Sequence, residues 1–527
     1  MQNTTQAWVD NQSLPLVSES FVEIEYKVTD PGVQEDASAA DNGAAAIADT
    51  AQITTQGEKN EPAYALLEQN SWILNGGRRL VPAGPPYGDT GFLSAVLCGD
   101  DCRFDPVPVV TLSFTEVHQP LIPGVTITWS RAYGEYARSF EVTAYQGESV
   151  VAQKRIDDNS ELTSLVSVDI QGYDRMEIAI YEWSRPLCRA KLSEVMIGFQ
   201  KIYTKDQLMG YEYVGSADPL CAKLPENTAV FKISNVNGEF NPDDPQGFSR
   251  FLMERQEIRV RYGYKLGDGV EWIRAGTFFI SEWNTPQNGI TATFTAKGLT
   301  EFMSEIYTGG YSGTLYEIAQ RALEQAQLPQ MEDGSCRYAI DDSLREIAVD
   351  LAEDPNKSIA EVVQLCANAA CCVMRQDRDG ILRIEPLANG IRDYLINQDN
   401  SYKRSEYQLS KELKAVSVNS GLAVVQNSPS GEIQTIDNPL IQDAATANRV
   451  AQWVKNCLKG RKTMSGQFRA DPRLDELDTV TVENSFSNSA VIITEIQYTY
   501  NGAFRGKYEG RVTTDAAADT PQQEEEQ

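Results

Sequence analysis

Hydrophobic and polar positions change rhythm several times along the chain. Residues 21–28 alternate strictly, with Val22, Ile24, Tyr26 and Val28 on one side and Glu23, Glu25 and Lys27 on the other. A period of two predicts a half-buried strand, and one this far from other strands is a candidate to add to a partner's sheet. Over 31–60 large apolar side chains almost vanish among Ala, Asp, Gln and Thr. Too little apolar surface is available there to offset the entropy of ordering, so the stretch reads as a linker or low-complexity excursion. From 61 to 200 short apolar segments recur between Gly, Pro and Asp clusters, at 109–114, 125–129, 140–145, 165–170, 176–180 and 195–199. Regular short strands with turn signals predict a β-sandwich of jelly-roll type. Val125, Ile127 and Trp129 share one face of their strand, which predicts a buried indole.

Longer strands follow over 201–310. Ile258, Val260 and Tyr262 share one face, as do Ile290, Ala292, Phe294 and Ala296, and a turn at 286–289 joins two strands as a hairpin. The helical period then enters. Thr314-x-x-Glu317 and Ser358-x-x-Glu361 are capping boxes. The first opens a stripe of Leu315, Ile318, Ala319, Ala322 and Leu323. The second opens one of Ile359, Val362, Val363, Cys366 and Ala370. Asp377-Arg-Asp-Gly380 reads as a hairpin turn, lacking the later acids of a calcium loop. Asp443 caps a helix carrying Val450, Trp453, Val454, Cys457 and Leu458, with Gly460 ending it.

The fold class is therefore multidomain, mainly β with α+β parts. The divisions fall at an N-terminal strand segment (1–30), the linker (31–60), the sandwich (61–200), a β-rich domain (201–310), a small helical α+β domain (311–395), a second β-rich domain with one helix (396–515) and an acidic tail read as disordered (516–527).

Charge narrows the chemistry. Of 527 residues, 46 are Lys or Arg and 75 are Asp or Glu, a formal charge of −29. Coating nucleic acid needs clustered cations, so that role is excluded. No apolar run reaches the ~18–20 residues of a membrane span, and the N-terminus shows no secretory signal. Nine irregularly spaced cysteines suit reduced, buried thiols rather than a disulfide framework. Cys98 and Cys102 lack a second Cys/His pair, so no metal is expected. The single histidine, His118, ends a strand with no nucleophile motif beside it, and no phosphate-binding or cofactor motif occurs.

Two binding or catalytic options remain open. Loop aromatics beside charged residues can stack on a sugar while their neighbours bond its hydroxyls. Tyr87 and Asp89 in Gly84-Pro-Pro-Tyr-Gly-Asp89, and Arg131, Tyr133 and Tyr136 in Arg131-Ala-Tyr-Gly-Glu-Tyr136, are the candidates, against a plain loop-stapling role. Paired carboxylates for glycoside hydrolysis are available at Asp243 and Asp244, or at Glu301 and Glu305. Asn-Pro-Asp-Asp-Pro around the first pair is better explained as turn chemistry.

The runs 231–245, 257–264 and 275–283 resemble bacteriophage and prophage tail proteins from Gram-positive hosts. The pattern Asp-Pro-x-Leu-x-x-x-Asp-x-Val-x-Val, at 471–482, with the segment 498–506, is similar to the hub proteins of tail tips and baseplates. The segment 64–76 and the strands after it look like a discoidin-type sandwich inserted in some such proteins. The resemblance covers most of 61–515 and rests on strand and turn patterns. It implies a non-enzymatic virion structural protein with β-rich tail-hub-like domains, made in the host cytoplasm without export. It also implies other tail proteins as partners, rings (trimers among them), no cofactor, and an outward sandwich contacting a host-surface glycan. The competing reading is a wall- or polysaccharide-degrading enzyme with appended β-modules.

Overall fold

The computed structural model describes residues 1–516 apart from 30–32, 42–44, 49, 55–61, 67, 69–77, 85–86, 88–89, 131, 237, 239, 242, 244–254, 268, 286–288, 332–334, 353–354, 389 and 484–487. The acidic tail, Asp89, Arg131, Asp244 and most of the expected hairpin turn at 286–289 lie outside the described residues. Strands dominate, in several sheets, with few helices.

The alternating strand Ser20–Thr29 lies between two strands of its own chain. Ile24 sits opposite Val260 of Glu257–Leu266 on one side and opposite Tyr203 of Arg189–Tyr203 on the other. Its candidacy for addition to a partner's sheet falls, because both edges are already paired. The sheet runs on through Gly269–Asn284, Thr291–Lys297, Glu226–Ser234 and Leu208–Ser216 to Asn488–Tyr500. Beyond that come Phe504–Ala516, Lys462–Phe468 and Glu406–Leu409. Residues 258, 260 and 262 turn inward as their alternation requires. They meet an aromatic core in which Tyr262 and Phe504 lie 5.0 Å apart and Phe231 stacks on Phe294 at 5.1 Å. Trp8, on the helix Gln6–Ser13, closes one end of this core against Tyr264 at 4.9 Å. Ile290 departs from its expected face: it precedes the strand Thr291–Lys297 and is exposed, while Ala292, Phe294 and Ala296 are buried.

The sandwich is an insertion into this sheet. The chain leaves after Thr29 and returns at Gly198, and these two residues are register partners. Between them two five-stranded layers face each other. One is Ser38–Asp41, Val109–His118, Tyr173–Trp183, Ala137–Gln146 and Ser149–Ile156. The other is Ala45–Ala48, Phe92–Leu97, the start of Arg189–Tyr203, Ile122–Trp129 and Thr163–Ile170. The region read as a linker thus contributes an edge strand to each layer. Its small side chains lack the apolar signal of a central strand, but pairing to a preformed edge satisfies their backbone groups. Trp129 is buried as its face predicts, 5.1 Å from Phe140 and 5.8 Å from Trp183, with its indole N–H donating to Ser164.

One strand belongs to both bodies. The first nine residues of Arg189–Tyr203 pair inside the sandwich, and Gly198–Tyr203 pair with Ser20–Thr29. Gly124, on a neighbouring strand, has φ +138°, and a Cβ there would lie 1.9 Å from the Val166 carbonyl oxygen. Gly124→Ala is therefore expected to cost the sandwich at least about 1–3 kcal/mol, read as a lower midpoint in chemical denaturation.

Three helices of the C-terminal half form a separate apolar core. Leu315–Gln325 and Ile359–Ala369 each open with a complete capping box, and Asp443 caps Ala444–Cys457. Cys366 is fully buried among them.

Candidate functional site

The sandwich brings some of the loop aromatics together. Tyr87 and Tyr133 pack in one small cluster with Tyr64, Leu66 and Leu93. The Tyr133 hydroxyl donates to the Tyr64 carbonyl at 2.8 Å and accepts from the Tyr64 amide at 2.7 Å. The Tyr64 hydroxyl in turn donates to the Tyr87 carbonyl. Burial pushes the Tyr133 phenol above its ordinary range. Tyr136 is set apart, half-buried against the main sandwich core, with its amide donating to Ser184.

Beneath Tyr133 lies a buried charge that sequence reasoning did not single out. Lys191 is 1% exposed. Its ammonium lies 3.0 Å from Glu68 and 2.6 Å from Glu135, and donates to the Arg189 carbonyl. Tyr133's ring centroid is 5.0 Å away. Glu135 also accepts from the Trp183 indole at 3.0 Å and lies 3.7 Å from Arg185, while Glu68 accepts from the Arg189 amide. Glu68, Glu135 and the Cys188 sulfur each offer an atom within 4.8 Å of the others, a donor set that could hold a divalent cation. The ammonium already stands against both carboxylates, so the chain supplies the positive charge itself. Burial pushes the Cys188 thiol up to about 12, which keeps it protonated and a poor ligand. The sequence carried no signal for it: alternation puts Lys191 on the face opposite Cys188, Ala190 and Leu192, beside Arg189 and Ser193, where an ammonium reads as solvent-facing.

The other candidates are scattered. His118, nearly buried, pairs through Nε2 with Asp36 at 3.0 Å and stacks on Tyr173. Cys98 is buried, with its thiol donating to the Arg185 carbonyl. Asp243 is exposed. Glu301 is held by Lys297 and the Ser281 hydroxyl, and Glu305 is exposed. In the turn at 377–380 the Asp377 carboxylate accepts from the amides of Asp379 and Ile381 and pairs with Arg383.

The hub-like pattern at 471–482 folds into a charged clasp. Asp471 and Arg473 form a buried bidentate pair at 2.6 to 3.0 Å. Arg378, from the turn just described, reaches across to Asp475 at 2.6 Å and donates to the carbonyls of Arg274, Pro472 and Leu474. Asp478 pairs with Arg392 at 2.7 Å. Burial pushes Asp475 up, but Arg378, the N-terminal ammonium and Gln2 together leave the carboxyl below its ordinary range. Its neighbour Glu476 is pushed the other way by burial and by Asp475. The spacing of acids in this motif is thereby explained as stitching between the second β-rich region and the α+β part.

No protein-family model and no curated protein matches the chain. Solved structures that align with it include phage and prophage tail proteins. The 43 kDa tail protein of prophage MuSo2 from Shewanella oneidensis aligns at 14% identity over 59% of this chain and 94% of its own, with a TM-score of 0.39. A tail protein from Neisseria meningitidis MC58 aligns at 10% identity over 60% and 94%, with a TM-score of 0.42. A prophage tail protein from Listeria monocytogenes EGD-e aligns at 11% identity over 61% and 93%, with a TM-score of 0.39. At such identities and scores, none of these likenesses assigns a residue role or an activity. Among the described residues no helix is long and apolar enough to cross a membrane.

Proposed function

We propose that the chain is a non-enzymatic structural protein of a phage-type tail tip or baseplate, carried in the virion and assembled with other tail proteins. The observation that carries this reading is the shared strand Arg189–Tyr203. A strand hydrogen-bonded in two sheets transmits orientation without a flexible linker, as suits a module held in fixed attitude on a scaffold. The sequence pattern at 471–482 supports the same assignment, and the clasp it builds is structural in character.

The sandwich is then the outward module, contacting a host-surface glycan through Tyr87, Asp89, Arg131, Tyr133 and Tyr136. The Lys191–Glu135 pair beneath favours this use, because a loop fixed before binding loses less entropy when it binds. Weak sugar contacts gain strength when copies are arrayed in a ring, and trimers are the simplest such array.

Light scattering of the purified chain is expected to give an oligomer, alone or with tail partners, and antibodies to the chain are expected to label virion tails. A strict monomer that never accompanies virions overturns the proposal. Incubation with host wall glycans is expected to release no reducing ends. Release dependent on Glu301 or Glu305 would establish the glycosidase reading instead.

A further inference from the structure

Lys191 and its two carboxylates form a reactive arrangement as well as an ion pair. The three side chains are at most 3% exposed, and the rings of Tyr133 and Trp183 wall the ammonium at 5.0 and 5.8 Å. Glu135 Oε2 lies 2.6 Å from Nζ and also accepts from the Trp183 indole at 3.0 Å. Glu68 Oε2 stands 3.0 Å from the same nitrogen, while its Oε1 accepts from the Arg189 amide at 3.0 Å. The contact to the Glu135 oxygen leaves Nζ roughly 3–3.5 Å from the carboxyl carbon, the spacing of a near-attack arrangement.

Surface lysine pairs offer the contrast. Lys205–Glu19, Lys297–Glu301, Lys357–Glu361 and Lys411–Glu432 each leave both side chains at least 35% exposed. Water there stabilises the charged forms, and a hydrated ammonium is no nucleophile. The buried pair Asp471–Arg473 is inert for another reason: a guanidinium keeps its proton. At Lys191 the nitrogen can give up a proton, an electrophile touches it, and a second carboxylate is placed to move protons.

We propose that Lys191 and Glu135 condense to an amide within the folded chain, with Glu68 as the acid–base catalyst. The ammonium passes one proton to the Glu135 carboxylate, which cancels two buried charges and leaves an amine beside a carboxylic acid. The nitrogen lone pair attacks the Glu135 Cδ while Glu68 takes a second proton from nitrogen. The negative charge that develops on the Glu135 oxygen meets the Trp183 indole N–H and the Arg185 guanidinium. Glu68 returns its proton to the Glu135 hydroxyl, the C–O bond breaks and water leaves. One N–C bond replaces one C–O bond, and no oxidant or co-reactant is needed. The ion pair is the state of the newly folded chain, and the amide accumulates from it. The product ties the loop before Ala137–Gln146 to Arg189–Tyr203, the strand that carries the sandwich into the large sheet. The inference depends on neither the tail nor the glycan reading.

The test is the intact mass of the full-length chain, fresh and after days at physiological temperature. The aged chain is expected to be lighter by the mass of one water, and a branched tryptic peptide is expected to join Lys191 to Glu135. Glu68→Gln keeps Lys191 and Glu135 as a balanced pair, so circular dichroism and tryptophan fluorescence should show a folded chain. It is expected to lose water at least about a hundredfold more slowly. Lys191→Arg keeps the positive charge without a nucleophile and is expected to hold its sequence mass throughout. An aged chain of unchanged mass, a water loss mapped to any other pair of residues, an unchanged rate in folded Glu68→Gln, or the same loss in Lys191→Arg overturns the proposal.

Discussion

Lys191→Met is expected to destabilise the sandwich by about 3–5 kcal/mol, among the largest losses from one substitution in this protein. Methionine matches the volume of the lysine stem, so packing changes little. What changes is charge: Glu68 and Glu135 would remain buried beside each other without the ammonium that now lies against both, and Arg185 stands 3.7 Å from Glu135. Replacing the carboxylates together with the lysine, as Lys191→Met/Glu68→Gln/Glu135→Gln, is expected to recover most of the loss, because no charge then stays uncompensated. Chemical denaturation read by tryptophan fluorescence measures it, since Trp183 donates to Glu135 and senses the site. Wild-type stability in the single variant would refute the view that this ammonium serves as the sandwich's structural cation. A recovery on adding zinc ion, specific to the single variant, would show Glu68, Glu135 and Cys188 taking a metal in its place.

Arg378→Met is expected to cost a similar amount, about 3–5 kcal/mol, in the core that joins the β-rich region to the α+β part. The guanidinium donates to three backbone carbonyls and one carboxylate; the Leu474 carbonyl also accepts from the Tyr498 hydroxyl, and Asp475 also meets the N-terminal ammonium at 3.4 Å and the Gln2 amide, both more distant than Arg378. The loss should depend on pH in a defined direction. Asp475 is held below its ordinary range, so its contribution is present above the usual carboxylate range and fades as the pH falls through its lowered value. In the variant Asp475 lacks the guanidinium and protonates more readily, so the gap between variant and wild type should narrow on acidification. Glu476 runs oppositely, because a raised carboxyl favours the folded state at low pH, but it is common to both chains. Urea midpoints at neutral and acid pH measure this. A gap that stays constant or widens would assign the effect of Arg378 to packing alone.

Much of the fold was legible where a single period governed a segment. The alternation in 21–26, 125–129 and 258–262 gave strands with the right residues inward, and both capping boxes opened helices where their spacing placed them. Legibility failed where the deciding neighbour was remote. Ser38–Asp41 and Ala45–Ala48 have no apolar signal of their own and become strands only because Val109–His118 and Phe92–Leu97 offer edges. The two partners of Ser20–Thr29 lie far along the chain, so its local pattern could not tell a paired edge from a free one. The candidate sugar residues separate in the same way: Tyr87 and Tyr133 meet through Tyr64, while Tyr136 packs elsewhere.

By itself the sequence determined a mainly β chain in several bodies, its helix starts, its acidic balance and the inward faces of its strongest strands. These follow from side-chain period and local hydrogen bonding, which act within a few residues. Only the tertiary structure decided that the sandwich joins the large sheet through one shared strand, that Lys191 meets an acid 56 residues away, and that Arg378 and Asp475 close a clasp across 97 residues. A buried charge becomes stable only when folding delivers its counter-charge, and no local pattern records which distant residue will arrive.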